Sequence, residues 1–444
     1  MLIINSKTIT WEKPNRILSN VALYINNGVI ADIGPQAVMR EKYPHEEILD
    51  AGDQYIMPGN ICGHTHFYGT FSRGMAIPGA APQDFPEILQ KLWWPLDKSL
   101  SASAVKYSAL VCMLDAIRHG TTTLIDHHAS PMAIDGSLDL IAEAAEQTKL
   151  RIATCYEVTD RDGNEKTQQG INENVRFIDN VKKRNSSLLT ASFGLHASLT
   201  LSEKTLDTCR AVCPEGVGFH IHVAEHQADQ YDSQAKYGTR VVDRLLKHGL
   251  LGEKTIAVHC VHVDAREIEI LADTGTWVTH QPRSNMNNAV GMAEVESMMR
   301  AGVKLGLGND GFSNAMWEEW KAAYLVHKLW HKDPRRVSGY TVVDMAVYNN
   351  ADLASSIFDT KVGRIEVGAE ADIIFVDYHP ITPLTPENLP WHILFGFHES
   401  MITGTMVQGQ MLMKDRKLLF LDEEEITHKA LEIAPLVWEK YLAQ

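Results

Sequence analysis

The sequence predicts an α/β fold, a TIM-like (β/α)8 barrel carrying a small β-sandwich domain built from both ends of the chain. Three observations carry that prediction. Between Met57 and Asp359 eight apolar, β-rich runs alternate with helix-length segments; on either side the chain reads as short strands and turns; and histidines and acids gather at the ends of the central runs. The expected boundaries are 1–57 for the first part of the sandwich, 58–359 for the barrel, and 360–444 for the second part with a C-terminal helix.

From Met1 to Ala51 short β-rich runs are separated by turns, and Asn26-Asn27-Gly28 between two apolar runs is a hairpin signal. The eight central runs are Asn60–His66, Thr122–Asp126, Arg151–Glu157, Thr190–His196, Gly218–Val223, Thr255–His259, Thr276–His280 and Val303–Gly308. Seven segments with helical spacing separate them: 102–118, 138–147, 171–183, 203–213, 239–248, 264–273 and 293–301. Eight is the number of strands that closes such a barrel.

The loop from Phe67 to Ser101 is long and rich in glycine, proline and aromatic residues, so a partly helical lid is expected there. Arg73, Trp93 and Trp94 are its candidates for shaping the pocket mouth, a core role being open for the tryptophans. After Asp359 two further β-rich stretches can pair with the N-terminal ones, since neither end has enough strand for a sound sheet alone. Glu423 to Leu442 is an amphipathic helix that Pro435 is expected to interrupt.

Composition narrows the function. Lysine and arginine total 41 against 56 acidic residues, a net charge of -15 without a basic tract, which disfavours nucleic-acid binding. No apolar run approaches the ~20 residues that span a bilayer, and the N-terminus lacks the pattern of a secretory signal, so a cytoplasmic protein with small-molecule partners is expected. The six cysteines form no Cys-x-x-Cys and read as reduced, buried thiols. No phosphate-binding glycine loop is present; Gly306-Leu307-Gly308 lacks a third glycine at the required spacing.

The chemistry begins at His64 and His66. Residues two apart on a strand project to the same face, so the two imidazoles point together and can share one ion. Catalytic groups of a β/α barrel sit at the C-terminal ends of its strands. Reading those ends adds His196 on the fourth strand, His220, His222 and Glu225 on or after the fifth, His259 on the sixth and Asp310 after the eighth. Adventitious His-x-His pairs occur among 20 histidines; the recurrence of such residues at strand ends is what argues for a site.

With Pro58-Gly59 ahead of His64 and His66, Gly194-Leu195-His196, the run from His220 to Glu225, Val258-His259, His280-Gln281-Pro282 with Ser284-Asn285, and Leu307 to Asp310, the sequence resembles the amidohydrolase superfamily, specifically its branch of metal-dependent heterocycle deaminases and chlorohydrolases. The resemblance implies His64, His66, His222 and Asp310 as ligands of one divalent metal, with a position open for water. It implies Asp310 as the base, Glu225 as the proton shuttle, His259 as the group that positions or polarises the attacked centre, and His196 as a substrate contact. His196 stands in Leu195-His196-Ala197 where relatives often have Pro-His followed by Pro-Tyr, and Asn309 stands where a small or hydroxyl residue commonly precedes the aspartate.

The activity implied is hydrolytic deamination of a purine-, pterin-, pyrimidine- or triazine-like ring with release of ammonia. Loss of chloride or hydrolysis of a cyclic amide at the same metal is the alternative, and a non-catalytic scaffold is a third reading that the complete ligand set disfavours. Zinc is favoured by the N/O ligands, and iron(II) fits too. The run from Ser187 to His196 holds no lysine to bridge a second metal. Relatives imply a homodimer or larger homo-oligomer. His220 is expected behind the ligands, His127 and His128 either there or exposed, and His262 and His280 in packing.

Overall fold

The computed structural model of the protein describes residues 1–184 and 186–444. Eight strand positions run parallel: Asn60–Thr65, Thr121–Asp126, Arg151–Thr154, a fourth in two halves, Phe219–Val223, Ile256–His259, Trp277–His280 and Lys304–Leu307. The halves of the fourth strand, Leu189–Ala191 and Phe193–Ala197, part at Ser192. The first half pairs with the third strand and the second with the fifth, so the bend turns the sheet around the barrel axis.

The ring closes where the first strand meets the end of the eighth. His64 O accepts from the N–H groups of Asn309 and Asp310 at 3.0 and 3.1 Å, and His66 N–H donates to Asp310 O at 2.8 Å. This seam brings two histidines and an aspartate distant in sequence to one point. Gly308 allows the approach: a Cβ there would lie 2.7 Å from the backbone N and O of His64.

The helices predicted from spacing are present, with shifted ends. Asn164–Arg184 begins earlier than the apolar pattern indicates. Its first turns are polar, but Thr167 and Gly170 are packed, with Gly170 directly beneath the Tyr156 ring. Helices Gln227–Tyr237, Met316–His331 and Asn350–Phe358 add to the predicted set.

Both termini meet in one nine-stranded sheet. Tyr55–Pro58 lies at its centre, parallel to Leu2–Ile9 and antiparallel to Ile373–Val376, so the sheet is mixed rather than purely antiparallel. Ile3, Leu23, Ile56, Ile373 and Phe375 fill its core. Arg151, fully buried on the third barrel strand, donates to Asp372 at 2.9 Å and Glu370 at 3.0 Å, tying barrel to sheet.

The C-terminal helix Glu423–Leu442 runs unbroken through Pro435, against the expected interruption. The carbonyl that the proline leaves without a partner is that of Leu431, on an exposed stretch where water can take over. Asp422 caps the helix and three glutamates fill its first turn, favourable at the positive end of the dipole. Trp438 and Tyr441 then donate to the carbonyls of Phe71 and Lys91, at 2.8 and 2.5 Å, and pin the lid.

The lid itself is helical from Phe85 to Ser99, with one widened π-turn at Leu89–Trp93. Pro95, lacking an N–H, cannot make the regular bond back to Lys91, which accounts for the widening there.

Candidate active site

His64, His66, His222 and Asp310 converge at the seam. His64 Nε2 and His66 Nε2 lie 3.1 and 3.0 Å from Asp310 Oδ1, and His66 Nε2 lies 3.2 Å from His222 Nε2. Their opposite ring nitrogens are already engaged. His66 Nδ1 donates to His127 O at 2.6 Å and His222 Nδ1 donates to His196 O at 2.9 Å, which fixes the tautomers and leaves both Nε2 lone pairs facing the same point. Two lone pairs and a carboxylate oxygen turned on one another form a poor arrangement by themselves and a suitable set for a divalent cation. The residues fit the implied metal.

Burial lowers His64 to about 3 and takes His222 well below the ordinary histidine range. Burial also works against charge on His66, yet the Asp310 carboxylate lifts it to about 9. Asp310 thus favours a proton on His66, which a divalent cation must displace in order to bind. For Asp310 itself burial favours the acid, but hydrogen bonds from His64 and His66 hold the carboxyl well below the carboxylate range. Glu225 goes the other way, pushed well above it by burial and then by the Asp310 charge.

One short segment orients all three groups of the acid–base wall. In Pro282–Asn287 and the residue after it, Ser284 Oγ donates to Asp310 Oδ2 at 2.5 Å, Asn285 Nδ2 donates to His259 Nδ1 at 3.0 Å, and Asn288 Nδ2 donates to Glu225 Oε1 at 3.3 Å. With Nδ1 accepting, the neutral His259 carries its proton on Nε2, 3.3 Å from Glu225 Oε2. Ala224, His259, Cys260 and Asp310 all adopt left-handed backbone, with φ between 46° and 71°. Such φ values are uncommon for residues with a Cβ and re-aim the chain at each strand end.

The cavity above these groups measures about 210 Å³. Glu225, Asp310, His222 and Asn288 line one side; Glu157, His196 and Asp97 line the other; Phe85, Leu89, Trp93 and Trp94 of the lid cover it. Trp93 thus reaches the cavity and also packs, its ring 6.3 Å from that of Tyr68. His196 holds Thr200 Oγ1 at 2.6 Å, and burial brings its pKa down to about 4.

Arg73 is not brought to the site. It is exposed, does not line the cavity, and its charge bears instead on Cys112 and Asp115 of the helix beneath it. His127 and His128 are fully buried rather than exposed, His127 lying 3.2 Å from Glu157. His220 Nε2 meets His64 Nδ1 at 2.9 Å, while His262 and His280 bond to Val290 O and to His327 away from the ligands. All six cysteines are free.

Sequence reasoning missed Glu157, Asp97, Arg161 and the orienting duties of Ser284, Asn285 and Asn288. Glu157 carried a legible signal, a carboxylate at the end of a barrel strand. Asp97 and Arg161 carried none, being 64 positions apart and joined only in the fold.

The sequence matches the amidohydrolase family over residues 55–412. It is 32% identical to a 5'-deoxyadenosine deaminase of Methanopyrus kandleri, covering 95% of this chain and 96% of that one. It is 29% identical to a 5-methylthioadenosine/S-adenosylhomocysteine deaminase of Pelotomaculum thermopropionicum, covering 97% of each. Among solved structures, an adenosine deaminase from Xanthomonas campestris with bound zinc superposes with a TM-score of 0.86 at 23% identity, covering 98% of both chains, a likeness of fold.

Proposed function

This chain belongs to the amidohydrolase family, and from that premise we propose that it is a metal-dependent aminohydrolase replacing the exocyclic amine of an amino-substituted heterocycle, an aminopurine first, with oxygen. The observation that carries the reading is the convergence of His64, His66, His222 and Asp310 on one point, with Glu225 and His259 oriented beside them by Asn288 and Asn285. Deaminase relatives that align over nearly their whole length support the reaction class.

His64, His66, His222 and Asp310 would hold one divalent ion, zinc by preference. When bound, the ion supplies the Lewis acidity that makes water a competent nucleophile near neutral pH. Asp310, ionised, accepts a proton from the attacking water, and Glu225, protonated, gives one to the ring nitrogen. His259 directs its Nε2–H toward the oxygen as charge develops. On collapse the proton held by Asp310 goes to the departing amine and the hydroxyl proton restores Glu225, so water and amine become carbonyl and ammonia in balance. Each proton transfer contributes roughly 10²–10⁴-fold.

The cavity of about 210 Å³ gives a single heterocycle room beside the ligands and is partly open, so a ring substituent can extend through its mouth. Ammonia release from aminopurines, pterins, aminopyrimidines and aminotriazines, with zinc- or iron-loaded protein, tests the reading. Release from one ring class, and only background release from Asp310→Asn, is expected; no ammonia from any compound by fully loaded protein would overturn it.

A further inference from the structure

Glu157 has a position that the acid–base chemistry leaves unused. It is 3% exposed, lines the same cavity as Glu225 and Asp310, and lies close enough to the ligand cluster to feel the charge of His66. His196 Nε2 is 3.4 Å from its Oε1, and His127 Nδ1 is 3.2 Å from its Oε2 without the alignment of a hydrogen bond. Oε2 and His127 Nδ1 are both buried with no partner among the described residues. Oε2 is turned to His127, outside the cavity lining, so Oε1 beside His196 is the edge left to a ligand, and a buried acceptor without an aligned donor recovers its cost when one binds.

Further along the same wall Asp97, 2% exposed, takes Arg161 Nη2 at 2.8 Å, and the Arg161 guanidinium lies over the Trp94 ring at 4.9 Å. Asp97 Oδ1 and Trp94 Nε1, both belonging to residues that line the cavity, are also unpartnered. Six lining residues are acidic (Asp97, Glu157, Glu225, Asp229, Asp232 and Asp310), and no lysine or arginine is among the described lining residues. Burial pushes Asp97 and Asp229 up to about 7, which tempers the negative charge. Glu157 stays ionised: burial works against its charge, but His196 and His127 hold its carboxyl well below the usual range.

Resting on the aminohydrolase reading, we infer that Glu157 is the specificity-determining acceptor of the site: it takes a hydrogen bond from an N–H or O–H donor of an uncharged substrate, on the side away from the amine that leaves. Glu157 is close enough to the ligands to meet either a ring N–H or the first hydroxyls of a ring substituent. Away from the metal ligands the described lining offers carboxylates and no lysine or arginine, and Arg161 behind it is already held by Asp97, so phosphorylated or carboxylated forms of the same ring are disfavoured. A site built around a buried charged acceptor rejects an analogue lacking the donor far more strongly than an apolar wall rejects a missing methylene.

The test is ammonia release by the zinc-loaded full chain from matched pairs. Adenosine against 2',3'-dideoxyadenosine removes hydroxyl donors, adenine against 9-methyladenine removes a ring N–H, and adenosine against its 5'-phosphate adds an anion. In the wild type one donor pair should separate roughly 10–100-fold in kcat/KM, identifying the donor's source, and the phosphate should be the poorer substrate. In Glu157→Gln that separation should shrink severalfold, beyond any common loss of rate. A wild type that turns over both members of both donor pairs equally overturns the inference without any variant. So does a Glu157→Gln whose rates fall alike on both members, the signature of a structural role. Ammonia from the wild type with either of these results leaves the aminohydrolase reading standing, whereas no ammonia from any substrate overturns both.

Discussion

On one side of the cavity Asp310, His259 and Glu225 each receive a hydrogen bond from Ser284, Asn285 or Asn288. On the other, Glu157 Oε2 and Asp97 Oδ1 are buried without a donor. The first wall is oriented by these bonds, as groups that must move protons at fixed geometry need to be, and His259 Nε2, buried there without a partner, is the donor that the proposed chemistry uses. The second keeps open valences, as groups that must discriminate between ligands need to. Two links couple them: His222 Nδ1 donates to His196 O, and Asp229 accepts from Leu199 N–H at 2.8 Å, behind His196, and from Ala224 N–H at 2.9 Å, beside Glu225.

The largest break in this comparison should come from Asp310→Asn, which removes both a ligand and the base. A fall of at least ~10³-fold in kcat/KM is expected in steady-state ammonia assays. Asn285→Ala should act through His259 alone, lowering kcat roughly 10–100-fold with KM little changed, since orienting partners of catalytic histidines carry effects of that size. A rise in KM with unchanged kcat would move Asn285 to the recognition side.

Much of the first wall was legible because its signals are local. His64 and His66 share a strand face by parity alone, and strand ends point to His222, His259 and Asp310. The duties of Ser284, Asn285 and Asn288 were not legible, since a polar helical turn shows nothing of what it faces. The second wall depends on the lid, and the pairing of Asp97 with Arg161 exists only after the π-turned segment folds over the third strand's loop. The continuous helix through Pro435 escaped for a related reason: docking of Trp438 and Tyr441 on the lid outweighs the local penalty.

Asp229 sharpens the comparison through pH. Its carboxyl is raised from the usual 3.8 to about 7, chiefly by burial. A group raised on folding contributes stability that is full below about pH 4 and is lost as pH climbs through about 7. Asp229→Asn lacks this dependence but loses one backbone acceptor. The melting-temperature gap favouring the wild type should therefore be widest near pH 4 and narrow by pH 8 in calorimetry; a gap that widens with pH would contradict the assignment. The smallest effect belongs to Arg73→Ala, expected to change kcat/KM by less than about twofold because the side chain is exposed and outside both walls.

The most direct test of the account is metal content measured beside ammonia release on one preparation, as a divalent metal is returned to chelator-treated protein. The account predicts activity rising in proportion to occupancy and levelling at one equivalent per chain. Full deaminase activity in metal-free protein, or activity that appears only as a second equivalent binds, would contradict it.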